Sequence, residues 1–194
     1  FYKTAADDPA TYAAVEKIAR LQEQMLADNY MPLDSSEIHL NLQGRHITLE
    51  AASAVNAAEI YQEMFRDNDH GMIPGFIPGK STRSIVDLGA NYGFFALWVK
   101  HHAPQCKLIC LEPNPYIFPD LQKNISGLSH IKALQKAAGK TDGTETFDII
   151  RQVPSIAGKT IRQTPRPWVS DDLVETCTVG TIRLDTLLNR YASG

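Results

Sequence analysis

The stretch Ser84-Ile85-Val86-Asp87-Leu88-Gly89-Ala90-Asn91-Tyr92-Gly93-Phe94-Phe95 constrains this chain more than any other. Ser84 to Leu88 is a short, mostly apolar run and reads as a buried strand. Two glycines and one small residue then turn the chain. Phe94-Phe95-Ala96-Leu97-Trp98-Val99 follows, with the length and composition of a helix start packed on a sheet. Strand, glycine-rich turn and helix in succession is an arrangement that sets free backbone N–H groups against a nucleotide-like ligand. The plainer alternative is a structural turn that needs its glycines for geometry alone.

The spacing narrows the ligand. The pattern is Asp87-x-Gly89-x-x-x-Gly93, not the G-x-G-x-x-G of dinucleotide sites. No Gly-Lys-Ser/Thr follows, which excludes a P-loop. An acid two residues before the first glycine would repel a pyrophosphate and suits a cationic or amine-bearing ligand. S-adenosylmethionine carries both a sulfonium and an α-amino group. A second apolar run, Cys106 to Leu111, ends in Glu112-Pro113-Asn114-Pro115, with Glu112 19 residues beyond Gly93. A carboxylate at the tip of a second strand can accept from both hydroxyls of a ribose, whereas a lone strand-end acid is more simply solvated. Pro113 and Pro115 stop this strand, and Pro115 is placed to open the following helix, which closes at Gly127. His130 to Lys136 reads as a third strand. Ala137-Ala138-Gly139 ends it in residues small enough for an adenine ring to approach the backbone.

Val86 to Phe95, followed by Leu111-Glu112-Pro113-Asn114-Pro115, resembles the FkbM family of S-adenosylmethionine-dependent methyltransferases, from about Ala58 to Leu188. The resemblance implies an α/β fold, a Rossmann-like class I methyltransferase sheet of seven strands with helices on both faces. It also implies O-methylation of a sugar, glycolipid or polyketide-like hydroxyl. Residue reading and resemblance together give the candidate cofactor-binding residues Asp87, Gly89, Ala90, Asn91, Tyr92, Gly93, Glu112, Pro113, Asn114, Ala137 and Ala138. Asp87 is expected to orient the amino group and Glu112 to hold the ribose. Leu184-Asp185-Thr186-Leu187-Leu188 matches the family's Leu-Asp-x-Leu-Leu, in which the Asp caps a short helix. Family members continue with a strand bearing Asp-x-Glu-Gly and three more strands, while this chain stops at Gly194. Part of the sheet is therefore expected to lie outside it, leaving the strand at Ile85 to Leu88 with an open edge.

Ahead of the cofactor region, residues 1–80 read as an N-terminal extension and 81–194 as the Rossmann-like domain. Thr11 to Tyr30 carries an apolar stripe at helical spacing, Val15, Ile18, Leu21, Met25 and Leu26. Glu37 to Leu42 and His46 to Glu50 alternate around Gln43-Gly44-Arg45 as a β-hairpin. Ala54 to Phe65 is a second helical run. His70, in the polar loop Asp67 to Gly71, is the candidate general base, because histidine titrates near neutral pH; a surface role is the plainer one. Lys100, His101 and His102 suit the negative end of the first helix dipole. Thr144 to Arg151 and Cys177 to Leu184 read as strands. Between them runs a long polar connection whose Trp168 is either a substrate platform or a cover for the sheet.

Composition excludes several classes. A net charge of −3 offers no electrostatic case for nucleic acid, and no apolar run approaches a membrane span. Cys106, Cys110 and Cys177 are odd in number and form no C-x-x-C pair, which fits reduced core thiols and a cytoplasmic setting. No histidine motif or carboxylate cluster argues for a metal. The expected partner is a small-molecule or glycan acceptor, with a homo-oligomer or a missing C-terminal segment completing the sheet. Two other functions fit less well: an NAD-dependent oxidoreductase, against which Asp87 and the glycine spacing speak, and a catalytically silent cofactor-binding module.

Overall fold

The computed structural model describes residues 78–150 and 173–192, together with the strands at 37–42, 45–50 and 157–158. The expected helices over 11–30 and 54–65, the loop of His70 and the segment of Trp168 lie outside the described residues. The hairpin consists of β1 (Glu37–Leu42) and β2 (Arg45–Glu50), paired antiparallel from Glu37↔Glu50 to Leu42↔Arg45. Arg45 therefore belongs to the strand rather than the turn.

The centre of the fold is a β-α-β-α-β unit. It comprises β3 (Ser84–Leu88), α1 (Phe94–His102), β4 (Lys107–Leu111), α2 (Phe118–Asn124) and β5 (Ile131–Leu134). The strands are parallel in the order β3-β4-β5, with Asp87 opposite Cys110 and Leu111 opposite Leu134. This is the α/β, Rossmann-like architecture expected from the sequence. Period-two alternation divides each strand between two cores. Leu108 and Cys110 pack with Tyr92, Phe94, Leu97, Trp98 and Leu121 on the helical side. Ile109 and Leu111 face the other way, onto Ile182 and Leu187, with Val86, Leu134 and Tyr191 beside them. Covering both faces is what a parallel sheet requires. Tyr92, Phe94, Trp98, Leu108 and Leu111 are the largest fully enclosed side chains. Each such burial contributes about 1.5–3 kcal/mol, so stability is concentrated between α1 and β4. Among the described residues β3 pairs only with β4, and Leu88 at its carboxyl end is 51% exposed.

A second sheet joins β6 (Ala137–Ala138), β7 (Gly143–Ile150), β8 (Ala157–Gly158) and β9 (Val174–Ile182) in the order β6-β9-β7-β8. Strands β7 and β9 form a long antiparallel arm from Gly143↔Thr181 to Ile150↔Val174. The alanine pair expected to end the third strand is thus a strand of another sheet. Lys136 N–H turns back onto the Leu134 carbonyl at 2.9 Å, and Ala137 then pairs with Thr181. β9 starts and ends earlier than the sequence pattern suggests, because Leu184 already begins α3 (Leu184–Leu187), followed by a π-helical turn at Leu188–Ala192.

Two local expectations are corrected. The N-cap of α3 is Arg183, not Asp185; Asp185 sits in the first turn and forms an ion pair with Arg183. The carboxylate at this helix start comes from Asp142, which accepts from Arg183 N–H at 2.8 Å and from the Thr186 hydroxyl at 2.9 Å. Residues 115–117 form a turn, and α2 starts at Phe118 with Pro119 in its first turn. The cause is the Asn114 side chain, whose Oδ1 accepts from Tyr116 N–H at 2.9 Å and holds a turn that competes with helix. Lys100 stands in the last turn of α1, as expected, and is buried there. Its ammonium donates to the carbonyls of Cys106, Pro104 and His130, tying the loops before β4 and β5 together.

Gly93 tests how tightly α1 and α2 pack. It adopts φ +88, and a Cβ there would lie 2.9 Å from Leu121 Cδ1 and 3.1 Å from Ile125 Cγ2. Gly93→Ala is expected to cost about 1–3 kcal/mol, from the left-handed backbone and the overpacked contact together. Chemical denaturation measures this directly. An unchanged midpoint would mean that the helices do not meet as closely as described.

Candidate functional site

The carboxyl ends of β3 and β4 hold two acids side by side. β3 leads into a turn in which Gly89 (φ +85), Asn91 (φ 49) and Gly93 (φ 88) all take left-handed backbone. Glycine adopts this freely and asparagine tolerates it. The amides of this turn are occupied within the protein. Gly89 and Ala90 N–H both donate to the Leu111 carbonyl at 2.9 and 2.8 Å, and Gly93 N–H donates to the Ala90 carbonyl at 2.8 Å. Asn91 N–H donates to Glu112 Oε2 at 2.9 Å, and Tyr92 N–H to the Asn91 side-chain oxygen at 2.8 Å. The sequence pattern suggested free amides awaiting a ligand. The turn instead spends them on β4 and Glu112, so it is not an anion cradle.

Glu112 is the joint between the two strand ends. It is buried, with Oε2 accepting from Asn91 N–H and Oε1 from Asn114 N–H, both at 2.9 Å. Burial raises its pKa, and the two amides oppose that rise. A carboxylate has about four acceptor positions, so each oxygen keeps capacity for a further donor such as a hydroxyl.

Asp87 lies one strand away and lacks such support. Its Oδ2 is enclosed and has no hydrogen-bond partner among the described residues. Burial first, and the neighbouring Glu112 second, push its carboxyl up to about 7. A buried acid and a half-buried one whose Oδ2 is enclosed and unused make a site that a cation with N–H donors would complete. In front of the turn there is room: a Cβ built on Gly89 meets nothing within 4 Å.

The structure sorts the remaining sequence candidates. Asp87, Gly89, Asn91, Glu112, Pro113 and Asn114 gather at the ends of β3 and β4. The side chains of Ala90, Tyr92 and Asn114 are buried, as is Gly93. Tyr92 fills the helical core, and its carbonyl accepts from Asn124 Nδ2 at 3.0 Å. Ala137 is buried in β6 and Ala138 is exposed. Among the described residues no group of three or more His, Cys, Asp or Glu side chains could hold a metal ion. No described helix is long and apolar enough to cross a membrane.

Sequence reading missed Tyr116 and Glu175. Tyr116 is 52% exposed, just beyond Asn114, and its hydroxyl donates to the Glu175 carboxylate, with the two oxygens at 2.9 and 2.8 Å. The aromatic after Glu112-Pro113-Asn114-Pro115 was a visible signal for the first. No local pattern marks the second, because the topology of β9 brings it there.

Comparison with known proteins gives partial matches. No family model matches the chain. It is 34% identical over 118 residues to a protein named methyltransferase sdnD from Sordaria araneosa, covering 58% of this chain and 43% of that protein. It is 30% identical over 105 residues to methyltransferase 1 from Beauveria bassiana, covering 53% of this chain and 41% of that protein. The chain thus spans less than half the length of these curated relatives. Among solved structures it is similar to Aeropyrum pernix fibrillarin with natively bound S-adenosyl-L-methionine, at 16% identity and TM-score 0.34, over 55% of this chain and 44% of that one. It is also similar to Pyrococcus horikoshii TYW2 in complex with MeSAdo, at 12% identity and TM-score 0.37, over 89% and 84%.

The unsupported acid gives a stability test. The fold holds the Asp87 proton more tightly than the unfolded chain, whose carboxyl titrates near the ordinary 3.8. Stability is therefore lost as pH rises from there to about 7, leaving a penalty on the order of a few kcal/mol at pH 8. Asp87→Asn should stabilise the unliganded protein at pH 8 and have little effect at pH 4. Urea denaturation at both pH values checks this; an equal effect at both would contradict the raised titration.

Proposed function

We propose that this chain carries the S-adenosylmethionine-binding part of a methyltransferase that acts on a hydroxyl oxygen of a sugar, glycolipid or polyketide-like acceptor, in the manner of the FkbM family. The observation that carries the cofactor reading is the pairing of Asp87 and Glu112 at adjacent strand ends, with Asp87 Oδ2 unpartnered and the turn amides already used. Asp87 receives the α-amino group of the cofactor. Glu112 uses its spare acceptor positions on the ribose hydroxyls while it keeps the two loops joined. Gly89 leaves space for the methionine portion. The methyltransferase names of the two partial relatives support the reaction class. The resemblance of Val86 to Phe95 and Leu111 to Pro115 supports the oxygen acceptor.

S-adenosylmethionine supplies an activated methyl group, so the protein's task is to align donor and acceptor and to remove a proton. His70, from the loop before β3, is the candidate for that proton. A nicotinamide dinucleotide fits less well, because its pyrophosphate would meet two acids at a turn whose own amides are already bonded.

S-adenosylhomocysteine should raise the thermal midpoint of the full chain, and NAD should not. At 100-fold excess over its dissociation constant, a ligand of the folded state adds about 2.7 kcal/mol. Stabilisation by NAD alone would reverse the assignment. Binding should also weaken as pH falls below about 7, where Asp87 takes up its proton, by up to about tenfold per pH unit. Glu112→Gln should weaken S-adenosylhomocysteine by roughly 1.5–3 kcal/mol in a folded protein. Calorimetry across pH 5.5 to 8 on the wild type and this variant reads both effects; flat affinity in both experiments would remove the two acids from the site.

A further inference from the structure

We propose that Tyr116 and Glu175 form the purine end of the cofactor cleft, and that the Glu175 carboxylate selects a 6-amino over a 6-oxo purine. The inference rests on the S-adenosylmethionine reading above and extends it to residues outside the glycine-rich and Glu-Pro-Asn-Pro motifs.

A continuous hydrogen-bonded track leads from the ribose acid to this pair. Glu112 Oε1 accepts from Asn114 N–H, Asn114 Oδ1 accepts from Tyr116 N–H, and the Tyr116 hydroxyl donates to Glu175. The loop leaving β4 is thereby fixed at each step, and Tyr116 is presented rather than left to swing. Its ring is half open to solvent while its hydroxyl is anchored to both carboxylate oxygens. An aromatic face held in this way is a platform for a flat heterocycle. Glu175 arrives from β9 of the antiparallel arm, so the pair forms where the arm meets the loop that follows β4. The alternative site for the base, Ala137-Ala138, is less suited: Ala137 is buried, and both residues pair with Thr181 and Ile182.

The chemistry of Glu175 sets the preference. A carboxylate offers acceptors and no donor. The exocyclic amino group of adenine is a donor and can share this carboxylate with the Tyr116 hydroxyl. The 6-oxo group of hypoxanthine is an acceptor and would face the carboxylate with no proton between them, which a site built for a donor rejects.

The test is calorimetry on the full chain with S-adenosylhomocysteine and S-inosylhomocysteine. Wild type should favour the adenosyl ligand by about ten- to a hundredfold, the range of one charge-assisted hydrogen bond. Glu175→Gln, which supplies a donor, should bring the two affinities to within about threefold. Tyr116→Phe keeps the ring and should bind both ligands. Tyr116→Ala should weaken both alike and leave their ratio in place. A merely structural contact between arm and loop would change both affinities together in every variant. If S-adenosylhomocysteine binds and Glu175→Gln keeps the wild-type ratio, the purine assignment is overturned while the cofactor reading stands. If S-adenosylhomocysteine does not bind wild type at all, both fall.

Discussion

The organisation of this site depends on one buried carboxylate accepting two backbone amides. Glu112 joins Asn91 in the turn after β3 to Asn114 in the turn after β4, across 21 and 2 residues of sequence. An enclosed carboxylate without partners would carry a desolvation penalty of several kcal/mol. The two amides offset much of that penalty, and in return the carboxylate holds two irregular loops in register. Asp87, one strand over, has burial without an equivalent set of partners, so its proton is retained to about 7. The contrast is between two acids at adjacent strand ends: Glu112 is an anchor between two loops, and the Asp87 Oδ2 has no compensating partner among the described residues.

Much of this could be read from the sequence because strand, turn and helix signals are local. Ser84 to Leu88, Lys107 to Leu111 and the helix to His102 all stand where apolar patterning put them. The proximity of Asp87 and Glu112 also follows, because adjacent parallel strands end together. What could not be read was set by contacts between distant residues. Asp142 supplies the carboxylate at the start of α3 from 41 residues away. Lys100 stands in the last turn of α1 as read, but the three carbonyls its ammonium reaches, one of them 30 residues away, could not be foreseen. The alanines after β5 were compatible with a ligand wall or with a strand edge, and only the pairing with β9 decides between them.

The two glycines of the turn illustrate how one sequence signal can arise from two different surroundings. Gly89 and Gly93 share a left-handed backbone, and the pattern treats them alike. Their surroundings differ. Space opens in front of Gly89, whereas Gly93 is pressed against Leu121 and Ile125 where α1 meets α2. The first is a position where a ligand can approach, and the second lets two helices pack. Dihedral demand is visible in sequence as glycine; the reason for the demand lies in which atoms arrive from elsewhere.

The same reasoning bears on the turn amides. A glycine-rich turn before a helix suggests anion binding, since the first amides of a helix lack intrahelical partners. Here the amides of the turn itself are taken within the protein, those of Gly89 and Ala90 by the Leu111 carbonyl and that of Asn91 by Glu112. Once the donors are used, the local electrostatics are governed by the two acids rather than by the helix terminus, whose dipole contributes only a fractional charge. A phosphate at this position would approach two carboxylates, and the amides of residues 89–93 are already bonded. An ammonium would approach an acid that is already short of a partner. The local electrostatics at this turn thus depend on which groups the fold has already satisfied, and the turn's shape alone does not determine them.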